Sequence, residues 1–194
     1  YSLFFNRDES RDRPIGLPPE IITSGSTHVV CPRDPVGGGT WLLVNAYGLS
    51  LGMLNYYEAQ MDYQPIERKS RGLLPMAFAN CQSLTELEGA MLKAELVPYP
   101  PFHLLAVNTK AEASLITWNG KSKTVHHPEI NDLPISTSSF ETEAVIGLRQ
   151  QLFRQQVLPR MDQDNVLADF HSSKQPAPDT HAVLMTRSHA KTVS

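Results

Sequence analysis

Cysteine is scarce in this sequence, and the two present, Cys31 and Cys81, have no CxxC spacing and no third partner. That excludes a disulfide framework and a cysteine-built metal site and leaves two reduced thiols, one in a loop and one at a helix end, in a cytoplasmic setting. No apolar run approaches the ~18 residues of a membrane span, and residues 1–6 lack the pattern of a signal peptide, so a soluble protein is expected. Positive charge is not in excess. A net charge of -3 and a pI near 6.2 leave no electrostatic footprint for nucleic acid. No repeat recurs along the chain, and nothing in it fixes an oligomeric state.

What the chain does have is a globular balance, with 41% apolar and 19% charged residues over 194 positions. That length suits one domain, residues 1–194, able to bury roughly 70% of the surface of its unfolded chain. The chain opens at Tyr1 and closes at Ser194, and a short native segment is expected beyond each end.

The coarse reading begins with a strand over residues 1–5, delivering the polar cluster Asn6-Arg7-Asp8-Glu9 to its end. Residues 14–35 read as a long Pro/Gly/Ser-rich loop, interrupted by a short strand at 28–31. Residues 40–46 and 49–56 read as antiparallel strands around Tyr47-Gly48, with Gly48 at positive φ. A helix over 70–81 has Pro75 early or kinked. A second starts at the capping box of Ser83 and Glu86, carries Leu84, Leu87, Met91 and Leu92 on one side and ends near Leu96, before Pro98, Pro100 and Pro101. Three strands follow at 102–108, 114–118 and 122–126, the last two joined by Asn119-Gly120, the strongest hairpin signal in the chain. Helices at 141–157 and 164–172 precede a terminal hairpin around Ser188-His189. Strands and helices come in blocks, without βαβ alternation, which favours a layered α+β fold with antiparallel sheets and argues against a Rossmann domain. The expected core is Leu3, Phe5, Trp41, Leu43, Leu51, Met53, Leu84, Leu87, Met91, Leu104, Ala106, Leu115, Leu148, Leu152 and Val183.

Three candidate chemistries are weak. Gly37-Gly38-Gly39 lacks the phosphate-loop pattern and leads into a strand, so it reads as a close-approach segment admitting Trp41 to the sheet. His126-His127 are neighbours on a strand and point to opposite faces, which argues against a shared metal ion. The other histidines have no ligand spacing, so neither a metal nor a cofactor is expected.

The polar cluster is more informative in context. Phe5-Asn6-Arg7-Asp8-Glu9, then Arg33-Asp34 before Gly38-Gly39-Thr40-Trp41, Asn45, Gly48, Asn55-Tyr56 and Ser70-Arg71-Gly72 stand in the order and rough spacing of the NRDE-motif family, which includes the transport and Golgi organisation proteins. The chain resembles that family strongly over residues 1–72 and more thinly beyond Phe102. Residues 45–56 also look like the paired-strand region of bile-salt and penicillin V amidohydrolases. The resemblance implies the four-layer αββα sandwich of Ntn hydrolases, with two mainly antiparallel sheets.

It also implies a function, a hydrolase whose amino-terminal residue attacks a carbon–nitrogen bond of a small-molecule amide. Such enzymes use the α-amine of that residue as base. Tyr1 has no suitable nucleophile, so the resemblance places a cysteine upstream of it. Arg7 and Asp8 would organise the amino terminus and Asn55 would donate to the oxyanion, with Asn6, Trp41, Asn45 and Thr137 contacting substrate. Ser136-Thr137-Ser138 departs from the family's Ser-Asn-Ser, which puts a second amide donor in doubt. Some members of the family are implicated in haem trafficking and in lipid or coenzyme A homeostasis. The alternative is therefore a non-enzymatic carrier of haem or of an acyl-coenzyme A or lipid-type ligand.

Overall fold

In the computed structural model, which describes residues 1–10, 12–59, 67–187 and 192–193, the chain forms two compact units. One holds Tyr1 and residues 15–128, the other residues 2–14 and 129–194.

The first unit is a seven-stranded antiparallel meander in which every strand neighbours the next in sequence. Its strands are β2 (Leu17–Ser24), β3 (Thr27–Arg33), β4 (Leu42–Asn45), β5 (Ser50–Asn55), β6 (Phe102–Val107), β7 (Ala113–Trp118) and β8 (Lys123–His126), numbered after β1 (Glu9–Ser10) of the second unit. Side chains alternate between the faces of a strand, so one face carries the buried set Val29, Leu43, Leu51, Leu104 and Ile116. Against that face lie α1 (Leu73–Ala77) and α2 (Leu84–Lys93). The latter sends in Leu87 and Met91, one turn apart and fully buried. Its cap forms as the sequence implies, the Ser83 hydroxyl accepting the Glu86 N–H at 3.2 Å. The Asn119-Gly120 hairpin forms as well, with Gly120 at φ 92°, and Gly48 turns β4 into β5 at φ 83°.

Several expectations need correction. Residues 1–5 form no strand. The long loop expected at 14–35 is a hairpin of β2 and β3, so Cys31 is a buried strand residue rather than a loop thiol. Pro18 and Pro19 hid β2, because proline is tolerated only at edges and bulges. Both apply here, since β2 ends the sheet and its register with β3 shifts between Leu17 and Glu20. The helix expected at 70–81 shrinks to α1, with Pro75 at its third residue.

The second unit holds α3 (Thr142–Gln156), α4 (Val166–His171) and a small antiparallel sheet of β1, β10 (Thr192–Val193) and β9 (Thr186–Arg187), with β10 in the middle. Both sheets are antiparallel, as expected, although very unequal. The expected hairpin turn at Ser188-His189 lies outside the described residues. A separate core gathers Leu152, Phe153, Val157, Val166, Phe170 and Val183.

Of the expected core, Leu3, Phe5, Trp41, Leu84 and Leu115 are only half-buried. Register explains Leu115: Ser114, Ile116 and Trp118 take the inner face of β7. Leu148 is 37% exposed, because the inward stripe of α3 runs through Val145, Arg149, Leu152 and Phe153.

Candidate functional site

In an extended chain residues two apart share a side, and the polar cluster divides accordingly. Arg7 reaches Glu9 at 2.8 Å, and Arg13 meets the same carboxylate oxygen at 3.2 Å. Asn6 points into the second unit, where its amide nitrogen donates to the carbonyls of His171 (2.9 Å) and Val183 (3.1 Å) and its oxygen meets His171 Nδ1 at 3.2 Å. Asn6 therefore anchors the amino-terminal segment to the end of α4. Phe4 stacks on the same imidazole with ring centroids 5.6 Å apart. Burial holds the His171 pKa below the ordinary histidine value. Asp8 is half-buried and engaged in interactions of its own.

Thr137 lies in the same unit, and its carbonyl accepts from Arg149 Nη1 at 3.3 Å. Arg149 is 6% exposed. It also donates to Ser136 Oγ (2.8 Å), His181 O (3.0 Å) and Ala182 O (2.6 Å). One guanidinium thus pins the Ser136-Thr137-Ser138 segment to the stretch before β9. The sequence reading missed it, although its place four residues after Val145 is a usable signal.

Asn55, Trp41 and Asn45 belong to the first unit. Asn55 ends β5, opposite Phe102. It is half-buried, and its amide donates to Tyr57 Oη at 2.8 Å. The next residue, Tyr56, is held by its N–H to Pro101 O (3.2 Å), a carbonyl that also accepts from Arg71 Nη1 (3.0 Å). Its ring packs on His103 with centroids 4.5 Å apart, and His103 Nδ1 pairs with Thr117 Oγ1 at 2.7 Å. Burial depresses the His103 pKa to about 4, so this imidazole is neutral near pH 7. The Pro101 carbonyl thus braces the chain just past the end of β5. Trp41 stands at the same end of the sheet as Asn55, its carbonyl taking the Met53 N–H at 2.8 Å. The indole packs so closely on Gly16 that a Cβ there would lie 2.3 Å from it.

Asn45 is different. It sits at the other end of the β4–β5 pair, opposite Leu49 and about 20 Å along the strand from Asn55 at ~3.4 Å per residue. It is 4% exposed. Its nitrogen donates to Ala79 O (2.9 Å) and Cys81 O (2.8 Å), while its oxygen accepts from the N–H groups of Tyr47 (3.0 Å) and Leu49 (2.9 Å). All four hydrogen-bonding positions of the amide are filled. Asn45 ties the β4–β5 turn to the α1–α2 connection.

Gly39 confirms the close approach expected of the glycine run: a Cβ there would lie 2.2 Å from Gly72 O, whose carbonyl takes the Thr40 N–H at 2.8 Å. Among the described residues no group of three or more His, Cys, Asp or Glu is arranged to hold a metal ion. No helix among them is long and apolar enough to cross a membrane.

A family model described as Transport and Golgi organisation 2 matches residues 1–189. No curated protein matches the sequence. Among solved structures, the N-acylethanolamine-hydrolyzing acid amidase ortholog of Caenorhabditis elegans is similar with a TM-score of 0.58 at 10% identity, over 86% of this chain and 79% of that one. A variant of the conjugated bile acid hydrolase from Clostridium perfringens is similar with a TM-score of 0.51 at 10% identity, over 88% and 73%. For penicillin V acylase from Agrobacterium tumefaciens the TM-score is 0.45 at 12% identity, over 76% of this chain and 52% of that one, so the chain spans about half of that acylase. For the first two the likeness is one of fold: they are Ntn-hydrolase folds, and the chain shares that architecture.

Proposed function

The chain belongs to the Transport and Golgi organisation 2 family, and we propose that it works as an N-terminal-nucleophile hydrolase on the carbon–nitrogen bond of a small-molecule amide. The observation that carries this reading is the Asn55 amide. It is a neutral donor fixed at a strand end by β5–β6 pairing and by Tyr57, on a fold similar to that of an acid amidase. Such a donor stabilises a developing oxyanion without changing its own protonation state.

In the reaction, a cysteine upstream of Tyr1 attacks the amide carbon and its α-amine takes the thiol proton. The carbonyl oxygen becomes the oxyanion that Asn55 receives. Collapse breaks the C–N bond, the amine leaves with the proton, and water hydrolyses the thioester to carboxylate and free thiol. Arg7 and Asp8 organise the amino terminus, with Glu9 holding the Arg7 guanidinium. Trp41, at the same sheet end as Asn55, shapes the substrate side.

The test is made on the full-length protein with its mature amino terminus confirmed by intact mass. A cysteine-directed amide or lactam probe is expected to acylate that terminus, and Asn55→Ala to slow acylation by about 10²–10³. No labelling on a correctly processed terminus would overturn the reading in favour of a non-enzymatic carrier of haem or of an acyl-coenzyme A or lipid-type ligand.

A further inference from the structure

The Arg33-Asp34 and Gly38-Gly39-Thr40 segments take no part in that reaction, yet they enclose space. Strand β3 turns Thr27, Val29, Cys31 and Arg33 to one face, and the first three are buried. Arg33 thus stands where the alternation calls for an apolar side chain. A cavity of about 270 Å³ opens beside it, lined by Ile22, Cys31, Arg33, Gly39, Thr40 and Met76 among others.

The walls are set before any ligand arrives. The loop is closed by Asp34 N–H to Gly39 O (2.8 Å) and Gly38 N–H to Asp34 O (2.9 Å). The Thr40 hydroxyl is fixed by donating to Leu42 O at 2.7 Å and accepting its N–H at 3.2 Å. Ile22 and Met76 give an apolar side. Burial raises the Cys31 pKa, outweighing the Thr40 hydrogen bond and the Arg33 charge, so the thiol is neutral and brings no negative charge to the floor. Arg33 meets Glu20 at 3.7 Å with both side chains well exposed. Such an exposed pair is weak and yields readily to a better-placed carboxylate.

We propose that this cavity binds a small monocarboxylate with a short hydrocarbon tail, the carboxylate forked by Arg33 at the mouth and the tail lying on Ile22 and Met76 above Cys31. Bidentate pairing with carboxylate is what a guanidinium does best. A cavity of about 150 Å³ takes a benzene ring, so this one accommodates roughly ten non-hydrogen atoms, room enough for hexanoate. Carboxylate binding here does not depend on the amide chemistry.

Calorimetric titration of the full-length protein with hexanoate, hexanamide and acetate tests the assignment. Hexanoate is expected to bind at least about tenfold tighter than the neutral amide or the tail-less acid. Arg33→Gln is expected to abolish that preference, and Arg33→Lys to keep part of it. In the unsubstituted protein, hexanoate should shift the NMR signals of Ile22, Cys31 and Met76, a readout independent of how the variants fold. No binding of hexanoate at millimolar concentration, shifts confined to other regions, or an Arg33→Gln protein that still prefers hexanoate over hexanamide would each overturn the proposal.

Discussion

Asn6, Asn45 and Asn55 are one residue type in three environments, and their hydrogen-bond partners separate what the sequence could not. The first two spend their amides on backbone groups, while Asn55 stands half-buried at a strand end. Whether an amide is consumed depends on carbonyls far along the chain, such as Val183 for Asn6, which spacing and motif do not show. His103 was equally illegible. Its role comes from Thr117 and Tyr56, brought together by sheet register, and it can be tested by titration. Its pKa falls from 6.5 unfolded to about 4 folded. The unfolded state therefore binds the proton first, and stability present above pH 6.5 is lost as pH falls toward 4. The loss is on the order of 3 kcal/mol. Urea unfolding between pH 7 and 4 should show His103→Gln with a flatter profile than the unsubstituted protein across that window. Parallel profiles would remove His103 from the account of acid sensitivity.

At the scale of elements, what was legible was what local chemistry dictates. The Asn119-Gly120 hairpin and the Ser83 cap are settled within a few residues. Strand β2 was not legible, since its two prolines argue against a strand until the partner β3 shows the bulge they occupy. Arg149 was missed for a related reason: an inward arginine in α3 makes sense only beside the carbonyls of residues 181 and 182. The prolines of β2 suit a strand with one unpaired edge, where removing N–H donors blunts pairing with other chains. Replacing both Pro18 and Pro19 with threonine restores two donors and loosens the unfolded chain. The expected outcome is a loss of about 0.4–1 kcal/mol per site in urea unfolding, together with concentration-dependent association in sedimentation velocity. A double variant that stays monodisperse over a hundredfold range, taken as roughly 1–100 μM where exposed edges begin to associate, would sink the idea that these prolines guard the edge.

At the scale of the whole molecule, the antiparallel layered class was legible from the blocks of strands and helices, and the motif order pointed to the fold now seen. The inequality of the two sheets was not, because the smaller one joins the ends of the chain: Glu9 and Ser10 pair with Val193 and Thr192. Local patterns carry little information about two-residue strands so far apart, and closing such a loop costs entropy that only the completed ladder offsets. Thr192 lies in the central strand, opposite Ser10 on one side and Arg187 on the other. Proline there removes a donor from the middle of a sheet, where it is not tolerated. Thr192→Pro should raise hydrogen exchange at the Glu9 and Ser10 amides by about tenfold or more, in line with losing one or two net backbone bonds of ~1 kcal/mol each. The Asn6 side-chain amide should keep its slow exchange, because its acceptors on His171 and Val183 lie outside the ladder. Unchanged exchange at Glu9 and Ser10 would mean that the ladder does not order this segment in solution. If it does order it, the same substitution releases Glu9 and with it the Arg7 guanidinium, so acylation of the processed terminus should slow while the Asn55 end of β5 keeps its protection.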